Sequence, residues 1–532
     1  MFSSLQDNKI FIQRFLTFFV IFFIFVYSVL HGNIFYFDDI PREITHKIHF
    51  IYDGRVLSEL LYILLGASQS IYDISPLTQL LSILILSFSL TILSAKWKMN
   101  TISAILSLSF IVCSPYFLQN LSYRFDSLTM GSALSCAILS IAVKDENWSA
   151  KTTFYKIFWS LCALNFYQSS ANLILTLIAF SSLIKLYNSS PRITFSYFKH
   201  NIIFIIFSLL LYKIESKMIH LHIYAQEHAL TTFKPLYILK NLFHLSENAL
   251  SEFGIKGGHL EEILGVILTI SFIRMLYLFY KNRGRNSMIM AFGFLVFAFF
   301  SLTGPLILLR HPVYSMRTLM ANGVLLSIAI FFNIGPQPTL YKNKVSIAIA
   351  TYTLFIPFIF SYLWGNALHD IQEMNMDIAS QIVEDVYSIS NGRPVIIRNL
   401  THHQPPLGYK TPHDIDYSFN SMIHFQDSTG IIDTPIPPIA KSILHHRRAS
   451  AERDFLFREW DFSYFLMKMK GLQDNAAFIP ELLENSEFSK QEALNIRASC
   501  SYDAIIKRRF YNLYKRDNHI VVDFHRECPH QP

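Results

Sequence analysis

Two adjacent carboxylates, Asp38 and Asp39, open the stretch "FDDIPR" shortly after an apolar run at about residues 11–30. A carboxylate at a helix mouth, partly shielded from water, has its pKa moved by burial and by its neighbour. One acid of such a pair can then act as general base on an attacking hydroxyl while the other orients the acceptor. Two further uses are binding a divalent cation and, more simply, ending the span with an interfacial anionic pair.

Arg42, Asp53-Gly54-Arg55 and Glu59 follow in the same loop. A guanidinium matches phosphate oxygens with two donors, so Arg55 is a phosphate candidate. Pairing with Asp53 or Glu59 would account for it equally well. In "NLSYRFDSL", Arg124 offers a second phosphate ligand and Asp126 a carboxylate for sugar hydroxyls, or the two form a weak local ion pair. Tyr167 and Gln168 in "NFYQSS" present an aromatic face and an amide suited to a sugar ring, although Tyr is also an ordinary interfacial anchor. Arg310, His311 and Arg317 crown two further apolar runs, which a negatively charged ligand would explain. Arg55, Arg124, Arg310 and Arg317 are thus the phosphate candidates. Arg42, Glu59, Asp126, Tyr167 and Gln168 are the sugar or acceptor candidates.

The elements that must position these residues follow from composition. The chain has 532 residues, 52% hydrophobic and 15% aromatic, with 48 Phe and only 16% charged residues; its mean hydropathy is +0.32. Soluble domains carry roughly a quarter charged residues, so a polytopic membrane protein fits. The net charge of +7 is spread among short connections rather than gathered with stacking aromatics, which excludes a nucleic-acid reading. The first apolar run is too long for a signal-peptide core and lacks a small-residue cleavage site, so it reads as a retained helix. Cys113, Cys136 and Cys162 lie within apolar runs as packing residues, and no C-x-x-C pair offers a thiolate zinc site.

Apolar windows fall near 11–30, 76–95, 101–118, 127–143, 154–167, 170–186, 201–216, 262–280, 288–309, 317–334 and 344–363. They predict a mainly α domain over 1–363 with about eleven transmembrane helices. If these spans alternate, Lys9, Arg14, Lys96, Lys98, Lys144, Lys151, Lys185, Arg192, Lys199, Lys281, Arg283, Arg285, Lys342 and Lys344 share one side, which the positive-inside rule makes cytoplasmic. The N-terminus is then cytoplasmic. The opposite face collects loop 31–75 and every chemically unusual stretch named above. Residues 56–66 read as an amphipathic helix, with Leu57, Leu60, Leu61 and Leu64 on one face, lying in the outer interface.

Residues 364–532 have the polarity of a soluble outward domain, entered by a helix from about Asn366 and interrupted by "QPPLGY" and "DTPIPPIA". A mixed α/β domain is predicted there, with a Cys500–Cys528 disulfide favoured in an oxidising compartment. His402–His403 and His445–His446 read as surface residues rather than metal ligands.

"YFDDIPR…YDGRVLSELLYILL", "PYFLQNLSYRFDSLTMG", "NFYQSSANL", "SMRTLMANG" and "FSYLWGNALHDIQE…IASQIVEDV", in this order, resemble the glucosyltransferase II family of bacterial membrane proteins that modify O-antigen and convert serotype. The resemblance runs from about residue 30 to about residue 390. It implies a GT-C type fold in the bacterial inner membrane, catalytic acids at Asp38 and Asp39, and undecaprenyl-phosphate-glucose as donor. It also implies transfer to a lipid-linked O-antigen repeat at the periplasmic face, with the C-terminal domain on that side. Partners would be the glucosyltransferase that makes the donor and a flippase that turns it over. Direct displacement at the anomeric carbon predicts inversion, and a monophosphate leaving group held by arginines favours a reaction without metal or cofactor over one with a divalent ion. Pro41 would tighten the turn after the acids. An O-antigen polymerase and a transporter or flippase of lipid-linked sugar are the competing classes; Gly304-Pro305, a break near the end of one span, speaks for the latter.

Overall fold

A computed structural model describes residues 5–390 apart from 37, 40–41, 44–45, 145–148, 253–258, 311, 314–315 and 336–342, and beyond that residues 395–398, 477–478, 505–508, 511–516 and 519–523. Pro41, His311, the paired histidines and both Cys500 and Cys528 lie outside the described residues. The chain divides into two units. One holds residues 1–31, 46–365 and 437–443; the other holds 32–45, 366–436 and 444–532.

The first unit is helical. Its elements are α1 (Leu5–Gly32), α2 (Val56–Gly66), α3 (Leu77–Lys96), α4 (Thr101–Leu108), α5 (Pro115–Ser122), α6 (Asp126–Ala142), α7 (Ala150–Phe166), α8 (Ser170–Asn188), α9 (Pro191–Met218), α10 (Ile223–Ala229), α11 (Pro235–Glu252), α12 (His259–Arg283), α13 (Arg285–Thr303), α14 (Asn322–Ile334) and the start of α15 (Lys344–Ser390). Helix falls on all of the apolar runs read from the sequence. Six helices are long and apolar enough to cross a membrane: Asn8–Gly32, Leu77–Lys96, Ser170–Asn188, Pro191–Met218, Arg285–Leu308 and Lys344–Asn366. A seventh span results if Thr101–Ile111 and Pro115–Ser122, bent by 64°, count as one. The expectation of about eleven spans therefore meets six or seven among the described residues; α6 and α14 are apolar but shorter.

Local chemistry sets the breaks. Asn100 caps α4 by accepting from the Ser103 amide at 2.8 Å, and Ser149 caps α7 through the Thr152 amide at 3.1 Å. Ser114 precedes Pro115 at the first turn of α5, where proline's missing N–H costs nothing. Many hydroxyls inside the apolar helices return to carbonyls of their own turn, as Ser87 does to Ile83 and Thr91 to Ser87, which meets the donor in an apolar medium.

Contacts along α3 define two ends of this unit. At its start, Thr78 donates to the Arg124 carbonyl at 2.7 Å and Gln79 to that of Tyr123 at 3.2 Å. At its finish, Lys96 caps α6 by donating to the Ile141 and Val143 carbonyls, and Arg14 donates to Ser94, Thr101 and the Met99 carbonyl. Twenty helical residues separate the two ends by about 30 Å. The Lys96 end also carries an aromatic chain, Trp97–Phe180–Phe331–Phe332–Phe279, with ring centroids 4.8 to 5.6 Å apart.

Close helix approach is built on small residues. A Cβ on Gly323 of α14 would lie 2.3 Å from the Phe110 carbonyl oxygen.

In the second unit, α15 continues without a break past Asn366, where the sequence alone placed a separate helix. Its later turns bury Ala379, Ile382, Val383 and Val386 on one face. The strands β1 (Val395–Arg398), β2 (Ala477–Phe478), β3 (Ile506–Lys507), β4 (Asn512–Arg516) and β5 (His519–Asp523) form one sheet in the order β2-β1-β5-β4-β3. β1 runs parallel to β2 and β5, and the other pairings are antiparallel. Asp385 of α15 ties helix to sheet: Arg508 donates Nε to Oδ2 at 2.8 Å and Nη2 to Oδ1 at 2.6 Å, and the buried Tyr511 hydroxyl donates to Oδ2 at 2.7 Å.

These donors, Arg508 foremost, hold the Asp385 carboxyl below the usual carboxylate range. A depressed folded-state pKa stabilises above the unfolded value, near 3.9, and that contribution is lost as pH falls through the folded value. Acid titration of the wild type is expected to loosen the sheet unit below about pH 4, whereas Asp385→Asn is already loosened at pH 7 and shows no further step there. Hydrogen exchange of peptides covering 511–516 reads both.

Candidate functional site

The site end of the first unit is organised by one turn. Residues Ile51–Asp53 form a 3-10 turn closed by Gly54 in the left-handed region, φ 74°. Glu59 caps it by accepting from the Ile51 amide at 3.1 Å. Each carbonyl from Phe50 to Gly54 has a donor. Phe50 accepts from the Asp53 and Arg55 amides, Ile51 from Gly54, and Tyr52 from the His222 amide. Asp53 accepts from Gln168 Nε2 at 2.7 Å, and Gly54 from the Tyr212 hydroxyl at 2.9 Å. Gln168 also donates to that hydroxyl at 2.9 Å. A Cβ at residue 54 would sit 2.9 Å from the Tyr212 oxygen, so glycine is required both for φ and for this approach.

The turn delivers Arg55 into the protein. Its Nη1 donates to Asp126 Oδ1 at 2.6 Å, Nη2 to Thr129 at 2.6 Å and Nε to the Phe166 carbonyl at 2.9 Å. The guanidinium lies over the Phe50 ring at 4.7 Å and the Tyr167 ring at 5.4 Å. Both partners of this ion pair are buried. The local pairing of Arg55 with Asp53 or Glu59 is therefore corrected: Glu59 serves the turn, the Asp53 carbonyl is held by Gln168, and Arg55 reaches across 71 residues to Asp126. The local Arg124–Asp126 pair gives way for the same reason. Arg124 places Nε and Nη2 on one oxygen of Asp73, at 2.8 and 2.7 Å, while the other oxygen takes the Ser75 amide. Asp126, the first residue of α6, is met by Arg55, whereas Arg124, two residues earlier, is met by Asp73.

Arg317 occupies a second irregular segment, a 3-10 turn at Met316–Thr318. Side-chain amides satisfy its backbone. Gln119 accepts from the Arg317 amide at 2.7 Å, Asn120 donates to its carbonyl at 3.5 Å, and Asn172 donates to the Thr318 carbonyl at 3.4 Å. Its guanidinium lies 5.4 Å over the Tyr123 ring and donates to the Tyr123 hydroxyl. Irregular backbone survives among apolar helices only when its polar groups are met this way. Gly304, φ 44°, lets Asn172 in, since a Cβ there would lie 2.3 Å from Asn172 Oδ1.

The Tyr167 hydroxyl lies in the fields of Arg317 and Arg55. Burial raises its pKa, and the two cations, Arg317 first, oppose the rise. Arg55, Asp126, Tyr167, Gln168 and Arg317 thus share one end of the bundle. Arg310 is exposed, its amide donating to the Leu230 carbonyl at 2.7 Å. Asp38, Asp39 and Arg42 belong to the other unit, where Asp39 is fully buried and accepts from the Tyr36 amide at 2.9 Å. Asp38 is half-buried, and its carbonyl receives Arg42 Nη1 at 3.5 Å. Among the described residues no three His, Cys, Asp or Glu side chains gather as metal ligands.

Sequence reasoning missed Asp73, Gln119, Asn120, Tyr123, Thr129, Asn172 and Tyr212. The amides were visible as polar residues inside apolar runs, which need partners when buried; Tyr212 carried no such mark.

A mainly helical chain with several helices fit to cross a membrane, carrying arginines, carboxylates and aromatics at one end of its bundle, has the build of a membrane protein. Residues 27–328, more than half of the chain, match the family described as Glucosyl transferase GtrII, and the chain belongs to that glucosyltransferase family. It is also similar to an uncharacterized 55.3 kDa protein in the gtrB 5' region of Salmonella phage P22, 30% identical over 168 residues, which are 31% of this chain and 34% of the phage protein. The alignment thus spans about a third of that relative's length. No solved structure matches the chain.

Removing one member of a buried ion pair strands the other at a cost of about 3–5 kcal/mol, whereas replacing both with apolar residues costs far less. Asp126→Asn is expected to lower the melting temperature in detergent more than the double variant Arg55→Met/Asp126→Leu does. Differential scanning fluorimetry makes the comparison.

Proposed function

We propose that this protein is an inverting glucosyltransferase that moves a glucosyl group from undecaprenyl-phosphate-glucose to a lipid-linked O-antigen repeat at the periplasmic face of the inner membrane. The observation that carries the reading is that two arginines far apart in sequence flank the segment 167–172: Arg55 lies 5.4 Å over the Tyr167 ring, and the turn that bears Arg317 takes the Asn172 amide at its Thr318 carbonyl. Two fixed cations beside a buried phenol form a cradle for the phosphate that leaves the donor.

The residues take separate roles. Arg317, stacked on Tyr123 and seated on a turn held by amides, binds the phosphate oxygens. Arg55 is spent on Asp126, Thr129 and the Phe166 carbonyl, so it contributes a fixed charge rather than a ligand. Arg124, occupied by Asp73, shapes the start of α3, and Arg310 sits at the rim. Tyr167 and Gln168 face the sugar. Asp38, half-buried, is the base that takes the proton from the acceptor hydroxyl, and Asp39 holds the turn through the Tyr36 amide. The acceptor oxygen bonds to the anomeric carbon as the bond to phosphate breaks, which inverts that centre. The donor-making glucosyltransferase and the flippase remain the partners implied, and the reaction proceeds without a metal in this scheme.

The test is mass spectrometry and NMR of cell-surface polysaccharide from cells that make and flip the donor. The wild type is expected to add one hexose per repeat. Asp38→Asn, present in the membrane at normal level, reduces that hexose about 100-fold or more, as loss of a general base does, and Arg317→Ala reduces it comparably while Arg317→Lys keeps part. Activity in Asp38→Asn with loss in Asp39→Asn exchanges the two roles. Unchanged repeats from the wild type, with altered chain length or lipid-linked sugar export, overturn the transferase reading.

A further inference from the structure

Helix α11 is amphipathic in the reverse of the usual sense. Asn241 and Leu245, 2% and 0% exposed, mark one face. Leu236, Leu239 and Phe243, 77%, 62% and 66% exposed, mark the other. At roughly 100° per residue these faces are about 180° apart. Phe233, just before the helix, is 77% exposed as well. A helix bordering water would bury the apolar face and expose the amide.

The inward amide has a definite task. Asn241 donates to the carbonyls of Ile307 and Leu309 at 3.1 and 2.7 Å. Upstream, the Thr232 amide donates to the Leu308 carbonyl and the Arg310 amide to that of Leu230, both at 2.7 Å. Residues 230–241 therefore grip the segment after the Gly304 break and carry Arg310 with them. Lys234, Lys240 and Arg310 are all exposed beside this grip. Because 304–309 follows α13 and touches Asn172 at the start of α8, the whole assembly lies at the site end of the bundle.

An apolar stripe flanked by cations is the signature of a helix lying in a bilayer surface, where the stripe enters the acyl boundary and the cations meet anionic headgroups. We propose that residues 230–245 are a membrane-surface float whose occupant is the anionic phospholipid surface, and that its seating fixes Arg310 at the depth of the lipid phosphates. The proposal needs only that the chain is a membrane protein, so it stands apart from the transfer reaction.

The test uses the full-length protein in nanodiscs of zwitterionic lipid and of the same lipid with anionic phosphatidylglycerol, with no activity readout. Nitroxide labels are placed at Leu239→Cys, Phe243→Cys and, as flank control, Tyr237→Cys, in a background with the native cysteines replaced by serine. Labels at 239 and 243 are expected to collide several-fold more with oxygen, relative to a water-soluble nickel chelate, than the label at 237. Lys234→Ala/Lys240→Ala is expected to shrink that ratio in the anionic discs only. On the unaltered protein, peptides covering 230–245 are expected to exchange hydrogen more slowly in the anionic discs. Preferential collision with the chelate at 239 and 243 overturns the float, as does shielding from both reagents, which would mean a protein partner. Equal behaviour in the two lipids overturns the anionic occupant.

Discussion

The buried pair of Arg55 and Asp126 is the constraint on which the site end depends. A guanidinium among apolar helices is tolerated only with its charge matched and its donors filled, and here a carboxylate, a hydroxyl and a carbonyl do both. Meeting that demand draws three elements to one point: the loop before α2, the start of α6 and the end of α7. The second cation, Arg317, then arrives on a turn whose backbone is satisfied by amides from α5 and α8. The two cations thus reach this end of the bundle on different elements, Arg55 held by Asp126 and Arg317 by Tyr123.

Arg55 gives one hydrogen bond from each of its three nitrogens and rests on two aromatic faces. Such a group gains little by turning to a ligand, since it would leave Asp126 buried and unmatched. Arg317 stacks on Tyr123 and donates to its hydroxyl. Charge that is preorganised and costs no rearrangement is what stabilises a leaving phosphate.

Sequence reading singled out residues that the fold brings together and mispaired them. Asp126, Tyr167, Gln168, Arg55 and Arg317 stood out because polar side chains interrupt apolar runs, and such interruptions need a reason. Their partners did not stand out, because an arginine next to two acids in sequence looks satisfied already. Helix direction decides otherwise: Asp126 begins α6 and faces into the bundle, whereas Arg124, two residues earlier, faces Asp73. The helical runs were likewise legible from hydropathy, while the number able to cross was not, because length is cut by caps such as Asn100 and Ser114 and by bends such as that before Pro115. The reversed face of α11 was invisible for a related reason, since which side of an amphipathic helix meets protein is fixed by Asn241's distant acceptors.

The turn at 51–55 has a further consequence for how such a protein can vary. Every carbonyl from Phe50 to Gly54 already has its own donor, two of them from side chains more than a hundred residues away. An inserted residue would shift all of these at once, and any side chain at position 54 would strike the Tyr212 oxygen. This stretch is therefore closed to drift in length or size. Changes in length that this fold tolerates must fall elsewhere, which makes the loop before α2 a fixed reference point from which the rest of the sequence can be measured.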